Sequence, residues 1–448
     1  MTTAKLLCKA LISASTSGRL ELIKHLIDEQ HVDPSCRDEY GDAPLHHAAR
    51  YGHLVVVKYL ITEKHCNPMC EGQYGRTPLH YASQCQLEVV KYLIDEQRVD
   101  PSCRDGTGDI PLHFAVGAGG LDMTKYFIIE KLCDPMCKGD SGRTPLHYAC
   151  QNGHIDLAKF LLDEQNVDHS CRDERGFTPL HIAALTGQLE MVKYLIVEKH
   201  CDVMCKTKSG STLLHMHAFG FGNLDVMKYL IDECQLDPLC QNEDSDTPLH
   251  RAALEGSLSV VKYFITEKQC DPLCKNRRGL TPLHYASGGP ENLDILKYLI
   301  DEQQVDFSCR DEDGRNLLHT AAFRGSLSTV KYLITDKHFD PMCRALKGKT
   351  PLHYASENRL DVVKYLIDEH QVDPSCQDED GNTPLHFAAN KAQLEVAKYL
   401  VIEKHCDPMC ETNFGNTPYD IALRGGYIAL WKFFNEGTLK ANFFIDCM

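Results

Sequence analysis

The tetrapeptide Thr-Pro-Leu-His, or a close variant, returns along this chain with its histidines at His46, His80, His113, His147, His181, His215, His250, His284, His319, His353 and His386. The ten steps between them are 34, 33, 34, 34, 34, 35, 34, 35, 34 and 33 residues, which makes 11 copies. A unit this small cannot bury its own core, so it must stack on its neighbours. At roughly 150 residues per domain the 448 residues would suggest about three domains; the repeat predicts one elongated array with no internal linker.

The departures from 34 share one place. From the motif histidine to the Leu or Ile that opens the next helical run is usually 8 residues, but 7 after His80 and His353 and 9 after His215 and His284. The extra residues fall in short segments such as Gly220-Phe221-Gly222-Asn223 and Gly288-Gly289-Pro290-Glu291, where a loop tolerates them. Within one unit, Thr77 is a good N-cap and Pro78 suits the first helical position. Ala82 and Ser83 are small enough for neighbouring helices to approach. A second helix carries Leu87, Val90 and Leu93 on one face with Val89 and Tyr92 beside it, a wide apolar face covered on more than one side. The stretch Asp100 to Gly108 is then rich in turn formers.

Thr-Pro-Leu-His-x-Ala-Ala, then Gly-His-Leu-x-x-Val-Lys-Tyr-Leu, then Asp-x-x-Cys with a Gly turn, resembles the ankyrin repeat over nearly the whole chain. The resemblance implies an all-α solenoid of L-shaped units, each with two antiparallel helices and a projecting hairpin finger. It also implies that the motif histidine ties the turn of one unit to its neighbour. Residues 1–36 read as an N-terminal capping repeat with Ile12 in the histidine slot. Residues 37–410 hold eleven repeats, and 411–448 form a C-terminal capping repeat and tail in which Thr417-Pro418-Tyr419-Asp420 replaces leucine and histidine. About 13 helix pairs at roughly 8–10 Å each give an array on the order of 100–130 Å long.

The 22 cysteines and 23 histidines raise the possibility of metal or thiol chemistry. Twelve cysteines form a ladder, one per finger: Cys36, Cys70, Cys103, Cys137, Cys171, Cys205, Cys240, Cys274, Cys309, Cys343, Cys376 and Cys410. A second set makes Cys-x-x-x-Cys pairs through Cys66, Cys133, Cys201, Cys270 and Cys406. Other units fill that second slot with Val32, Val99, Val167, Leu236, Val305, Phe339 or Val372, which a metal ligand would not permit and a packing slot does. Ladder neighbours lie about one repeat apart, beyond the roughly 7 Å a disulfide spans. The cysteines are therefore expected to pack, with neither a metal nor a cofactor held. Cys8, Cys85, Cys150, Cys234 and Cys447 lie outside both sets and are the expected exposed thiols. Eleven histidines share the tetrapeptide's structural task and form no catalytic array. Gly348-Lys349-Thr350 matches the end of a phosphate loop, but Cys343 stands where its first glycine belongs. No grouping meets the geometric roles of an active site, so an enzyme is not expected.

Net charge is -16, from 47 basic and 63 acidic residues, which disfavours nucleic acid as a partner. Lys5 and Lys9 interrupt the first apolar run, no stretch approaches a membrane span, and the cysteine near the C-terminus is not four from the end. A cytoplasmic, monomeric protein with reduced thiols and no direct membrane insertion is expected.

A second period of about 68 residues alternates units ending Ile94-Asp95-Glu96-Gln97 with units ending Ile61-Thr62-Glu63-Lys64, six of each, consistent with duplication of a pair. Finger charges alternate as well. Basic fingers carry Lys206 and Lys208; Lys275, Arg277 and Arg278; Arg344, Lys347 and Lys349. Acidic fingers carry Glu243, Asp244 and Asp246; Asp311, Glu312 and Asp313; Asp378, Glu379 and Asp380. Such stripes either screen one another or fix a partner's register. The resemblance also places contacts at first-helix ends, here Arg50, Tyr51, Phe323 and Arg324 among others. Trp431, Phe433 and Phe434, with Phe443-Phe444-Ile445 beyond, either cover the end of the stack or dock a partner. The expected function is a protein-binding scaffold or adaptor using the concave face and fingers. The alternatives are a metal- or redox-responsive thiol protein and the recognition region of a larger signalling or channel protein.

Overall fold

A computed structural model describes residues 3–216, 224–289, 292–324 and 326–435. Among these, every regular element is helical. The chain divides into two compact units, Met1–Leu213 and Leu214–Met448. The first stacks helix pairs from Thr3–Thr16 with Leu20–Lys24 to Pro179–Leu185 with Leu189–Lys193. The second runs from the helix Leu224–Lys228 to Pro418–Arg424 and a final helix over 428–435.

Local chemistry starts each first helix. Thr77 is extended, Pro78 opens the helix, and His80 turns its ring back on the cap. Its Nδ1 accepts the Thr77 backbone N–H at 3.1 Å and pairs with the Thr77 hydroxyl at 2.9 Å. That leaves the ring proton on Nε2, which donates outward to the next finger. His147 reaches the Phe177 carbonyl at 3.1 Å, His250 that of Leu280 at 3.1 Å and His353 that of Asn382 at 3.1 Å. The tetrapeptide is thus a cap and a cross-link in one side chain. Asp420 keeps only the cap: its carboxylate accepts the Thr417 N–H at 3.1 Å and the Thr417 hydroxyl at 2.7 Å.

Behind the cap, Leu79, Ala82 and Ser83 are fully buried, and the Ser83 hydroxyl returns to the Leu79 carbonyl at 2.7 Å. Val89, Val90, Tyr92, Leu93 and Ile94 of the second helix are buried too. Each such aliphatic chain contributes roughly 1.5–3 kcal/mol. The second helix is α over Leu87–Lys91 and widens to π over Tyr92–Glu96, with the Gln97 N–H closing on the Tyr92 carbonyl at 3.1 Å. The next residue is left-handed in every unit of this form and never glycine: His65 (φ 55), Arg98 (φ 61) and Leu132 (φ 55) are examples.

The two-unit period has a structural meaning. Tyr59, Tyr126, Tyr194, Tyr263, Tyr332 and Tyr399 donate to Asp28, Asp95, Asp163, Asp232, Asp301 and Asp368 of the preceding repeat at 2.8–3.3 Å. A lysine from the tyrosine's own repeat, such as Lys64, Lys131 or Lys268, pairs with the same aspartate. The junctions that bring Tyr92 and Tyr298 against the preceding repeat lack this clamp. Thr62 and Thr266 occupy the aspartate's place and bond back to Lys58 and Lys262 of their own helices at 2.8 Å. The buried hydroxyls of Tyr92 and Tyr298 are left without a partner.

Two expectations need correction, and a third falls outside the described residues. The 33-residue steps shorten the helix as well as the loop: Pro78–Ala82 and Pro351–Ala355 have 5 residues where Pro179–Leu185 has 7. The insert segments at 220–223 and 290–291, with Phe443, Phe444, Ile445 and Cys447, lie outside the described residues. Cys150 is not an exposed thiol; it is fully buried, three residues beyond its motif histidine in the slot held by Ala49, Ser83 and Ala184 elsewhere. Cys85 is exposed, and Cys8 and Cys234 are half-buried. At the C-terminal end Leu430 and Phe434 are buried, and the Trp431 indole donates to the Tyr419 hydroxyl at 2.9 Å.

Candidate interaction surface

Each finger grows from the turn after its second helix and is held by its own residues. In the finger at 105–109, Asp105 accepts the Thr107 N–H at 2.9 Å and the Asp109 N–H at 3.0 Å, which fixes the turn. Arg104 then donates to the Gly108 carbonyl at 2.6 Å and to the Lys138 carbonyl of the next finger at 2.7 Å. Arg37, Arg172 and Arg310 do the same. The tips also touch directly. The Gly106 N–H meets the Tyr74 carbonyl at 2.7 Å, where a side chain on Gly106 would come within 2.7 Å of that oxygen.

In the second unit these tip contacts form a series. Arg277 N–H donates to the Asp244 carbonyl (3.0 Å), Glu312 to Arg278 (3.0 Å), Leu346 to Asp313 (2.9 Å), Glu379 to Lys347 (2.9 Å) and Asn413 to Asp380 (3.0 Å). The fingers are therefore joined main chain to main chain. Glu243, Asp244, Lys275, Arg277, Arg278, Glu312, Asp313, Lys347 and Glu379 stand exposed on them, and Asp380 and Lys349 are half-exposed. Among the described residues none of these charges pairs with a neighbouring finger. Asp313 pairs within its own finger with Arg315 at 3.0 Å, and Lys349 lies 5.1 Å from the Phe387 ring. In the first unit Lys206 and Lys208 are exposed, with Lys208 N–H on the Arg175 carbonyl at 3.1 Å.

Three of the acidic candidates are not surface groups. Asp246, Asp311 and Asp378 are buried: Asp311 and Asp378 accept N–H groups of their own turns, and Asp246 accepts groups of the next repeat. Asp246 accepts the Tyr285 hydroxyl at 2.9 Å and the Asn276 amide at 2.7 Å. Asp311 binds the Arg315 guanidinium at 2.7 Å, and Asp378 accepts backbone N–H groups of Asp380 and Asn382 at 3.0 and 2.8 Å. Arg344 is exposed, yet it is partly engaged with the Gly348 and Gln377 carbonyls at 3.3 and 3.4 Å. At the first-helix ends, Arg50 lies 5.7 Å from the Tyr81 ring, Tyr51 and Phe323 are 50% and 41% exposed, and Arg324 is exposed. A hollow of about 430 Å³ in the first unit is lined by residues including Arg76, Cys85, His113 and Tyr148.

Charge patterning overlooked the exposed apolar tips: Tyr40, Tyr74, Leu346 and Phe414 are 60–74% exposed. The signal was present, since Tyr40, Tyr74 and Phe414 each precede a turn glycine.

The ladder cysteines are half-buried for the most part and lie against the cap, not simply in apolar space. Cys171 Sγ is 3.5 Å from the Thr144 hydroxyl and Cys103 Sγ 3.8 Å from that of Thr77. Where Ala43 or Ile110 replaces threonine, Cys70 and Cys137 lie 3.9 and 3.8 Å from the histidine Nε2. Burial pushes the Cys70 and Cys103 thiols up to about 11 and Cys137 and Cys201 to about 12. The thiolate, which is the metal ligand and the nucleophile, is thereby disfavoured. Burial likewise drives His147, His181, His319 and His353 down to about 4. Asp38, Asp42 and His47 bring possible ligand atoms within 4.8 Å of one another. Protein partners account for them: His47 Nε2 meets Asp38 at 3.0 Å, and Asp42 accepts the Tyr81 hydroxyl at 2.9 Å and the Gln73 N–H at 2.8 Å. Lys349 and Thr350, at the end of the phosphate-loop match, serve a ring contact and the cap of His353 (2.9 Å).

No helix among the described residues is long and apolar enough to cross a membrane. Comparison with curated proteins finds no match. Family models described as "Ankyrin repeats (3 copies)" match residues 11–105, 86–173, 112–207, 191–276, 214–311 and 283–378, and one described as "Ankyrin repeats (many copies)" matches 366–422. Those matches overlap from residue 11 to residue 422, over the same helix pairs and histidine cross-links seen in the structure, and the chain belongs to the ankyrin-repeat family.

Proposed function

We propose that this chain is a non-enzymatic scaffold or adaptor that binds protein partners through its finger tips and first-helix ends. The observation that carries the reading is the division of labour in the fingers: main-chain bonds join the tips, and the exposed charged side chains are not used in ion pairs between neighbouring fingers. Exposed complementary charge speeds and orients encounter. The partner-facing set is Arg50, Tyr51, Phe323 and Arg324 with the exposed finger charges. Nucleic acid is disfavoured by the charge of -16, and a monomer in the cytoplasm suits the composition. The raised thiol pKa values weigh against the metal- or redox-responsive alternative. Capping repeats at 1–36 and 411–448 around eleven repeats at 37–410 belong to the same reading. Proximity labelling with the intact chain and with a version whose finger charges are neutralised tests it: the intact chain enriches partners that the neutralised one loses. Identical partner sets would refute the assignment to the fingers.

A further inference from the structure

We propose that the tips of the second unit form a rigid charge comb that docks an extended partner segment in the polyproline II conformation, carrying charges of alternating sign at every third residue. This rests on the protein-binding reading and adds the chemistry of the partner.

Rigidity comes first. The five tip-to-tip main-chain bonds, at 2.9–3.0 Å, leave little freedom for one finger to move against the next. Sign comes second. Asp313 is neutralised by Arg315, and Asp246, Asp311 and Asp378 are buried. The exposed charges that remain are Glu243 and Asp244, then Lys275, Arg277 and Arg278, then Glu312, then Lys347, then Glu379 with half-exposed Asp380. Five successive fingers therefore read negative, positive, negative, positive, negative.

Pitch decides the partner's conformation. Fingers follow their helices at roughly 8–10 Å per repeat. Polyproline II rises about 3.1 Å per residue with three residues per turn, so every third side chain returns to one face after about 9.3 Å. A β-strand also covers about 10 Å in three residues, but residues three apart point to opposite faces. An α-helix returns to one face every 5.4 Å or so and drifts out of phase with the fingers. Five charges at third-residue spacing occupy 13 residues and about 37 Å in polyproline II. Four finger intervals span roughly 32–40 Å. Leu346, exposed at 60% on the fourth of these fingers, offers apolar contact to an intervening proline.

The test uses the full chain and a labelled peptide, Lys-Pro-Pro-Glu-Pro-Pro-Lys-Pro-Pro-Glu-Pro-Pro-Lys, read by fluorescence anisotropy at low salt. The comparison peptide has the same composition with its five charges in one block. The registered peptide is expected to bind about tenfold more tightly than the block. The double substitution Arg277→Glu with Arg278→Glu removes that preference, and the matched double substitution Lys5→Glu with Lys9→Glu, exposed on the first helix of the other unit, leaves it intact. Equal affinities, or no saturable binding, overturn the proposal. If partners found by proximity labelling are lost on neutralising the fingers while the registered peptide shows no advantage, the comb falls and the protein-binding reading stands. If the partner sets are also identical, both fall.

Discussion

Removing the hydroxyl of Tyr126 and removing that of Tyr92 are the same chemical change with opposite expected outcomes. Both rings are buried in second helices, at 2% and 3% exposure. The Tyr126 hydroxyl donates to the Asp95 carboxylate at 3.0 Å, and burial together with that carboxylate pushes its pKa far up. A hydrogen bond to a charged group contributes roughly 1.5–3 kcal/mol. Asp95 keeps Lys131 and its side chain is 45% exposed, so water can replace part of the loss. Tyr126→Phe should therefore cost about 1–2 kcal/mol. The Tyr92 hydroxyl has no partner, and burying an unpaired hydroxyl costs roughly 1–3 kcal/mol. Lys58, 4.9 Å from the Tyr92 ring, keeps its contact with phenylalanine. Tyr92→Phe should be neutral or stabilising by about 1 kcal/mol. The chain already carries Phe160 at the equivalent place in another unit of that type. Urea unfolding followed by circular dichroism, with hydrogen exchange of the second-helix amides as a local readout, compares the two. Equal destabilisation by both would refute the idea that repeats are clamped in pairs.

Three further outcomes are expected. Stability should fall as pH drops from about 6.5 towards 4, because buried His147, His181, His319 and His353 resist the protons that the unfolded chain accepts. The unfolded state is the more protonated one in that window, which amounts to about 2 kcal/mol per such histidine at pH 5; a urea midpoint independent of pH from 7 to 5 would contradict it. Leu132→Gly should raise the unfolding free energy by about 1 kcal/mol, read as a higher urea midpoint, since Leu132 is left-handed (φ 55) and 84% exposed, so relief of strain outweighs lost packing; a lower midpoint is the contrary result. In the native chain Cys85 should alkylate quickly and Cys150 only on unfolding, as read by mass spectrometry of iodoacetamide-treated protein, and early labelling of Cys150 would contradict its burial.

The repeat, its helix starts and its cross-linking histidines were legible because they are local chemistry: Thr77, Pro78 and His80 act within one turn of helix. The slot of Cys150 was legible too, since Ala49 and Ser83 stand in the same position, but the residue was read by its absence from the cysteine ladder. The alternation of Asp95 with Thr62 was visible and taken only as a trace of duplication. Its role depends on Tyr126 and Lys131 of the next repeat, which only packing brings to the same carboxylate. Asp246, Asp311 and Asp378 were read as surface charge because a finger aspartate can face water, accept N–H groups of its own turn, or accept groups of the next repeat, and sequence does not say which. The left-handed cap at Leu132 carries no glycine to announce it.

The most direct test of the fingers as a docking surface is the triple reversal Lys275→Glu, Arg277→Glu and Arg278→Glu, with stability and partner capture measured on the same protein. Because main-chain bonds and not ion pairs hold the neighbouring tips, the unfolding free energy from urea titration should change by less than about 0.5 kcal/mol while partners found with the intact chain are lost. Unchanged partners with an altered midpoint would show that the charges serve the fold and would contradict the account.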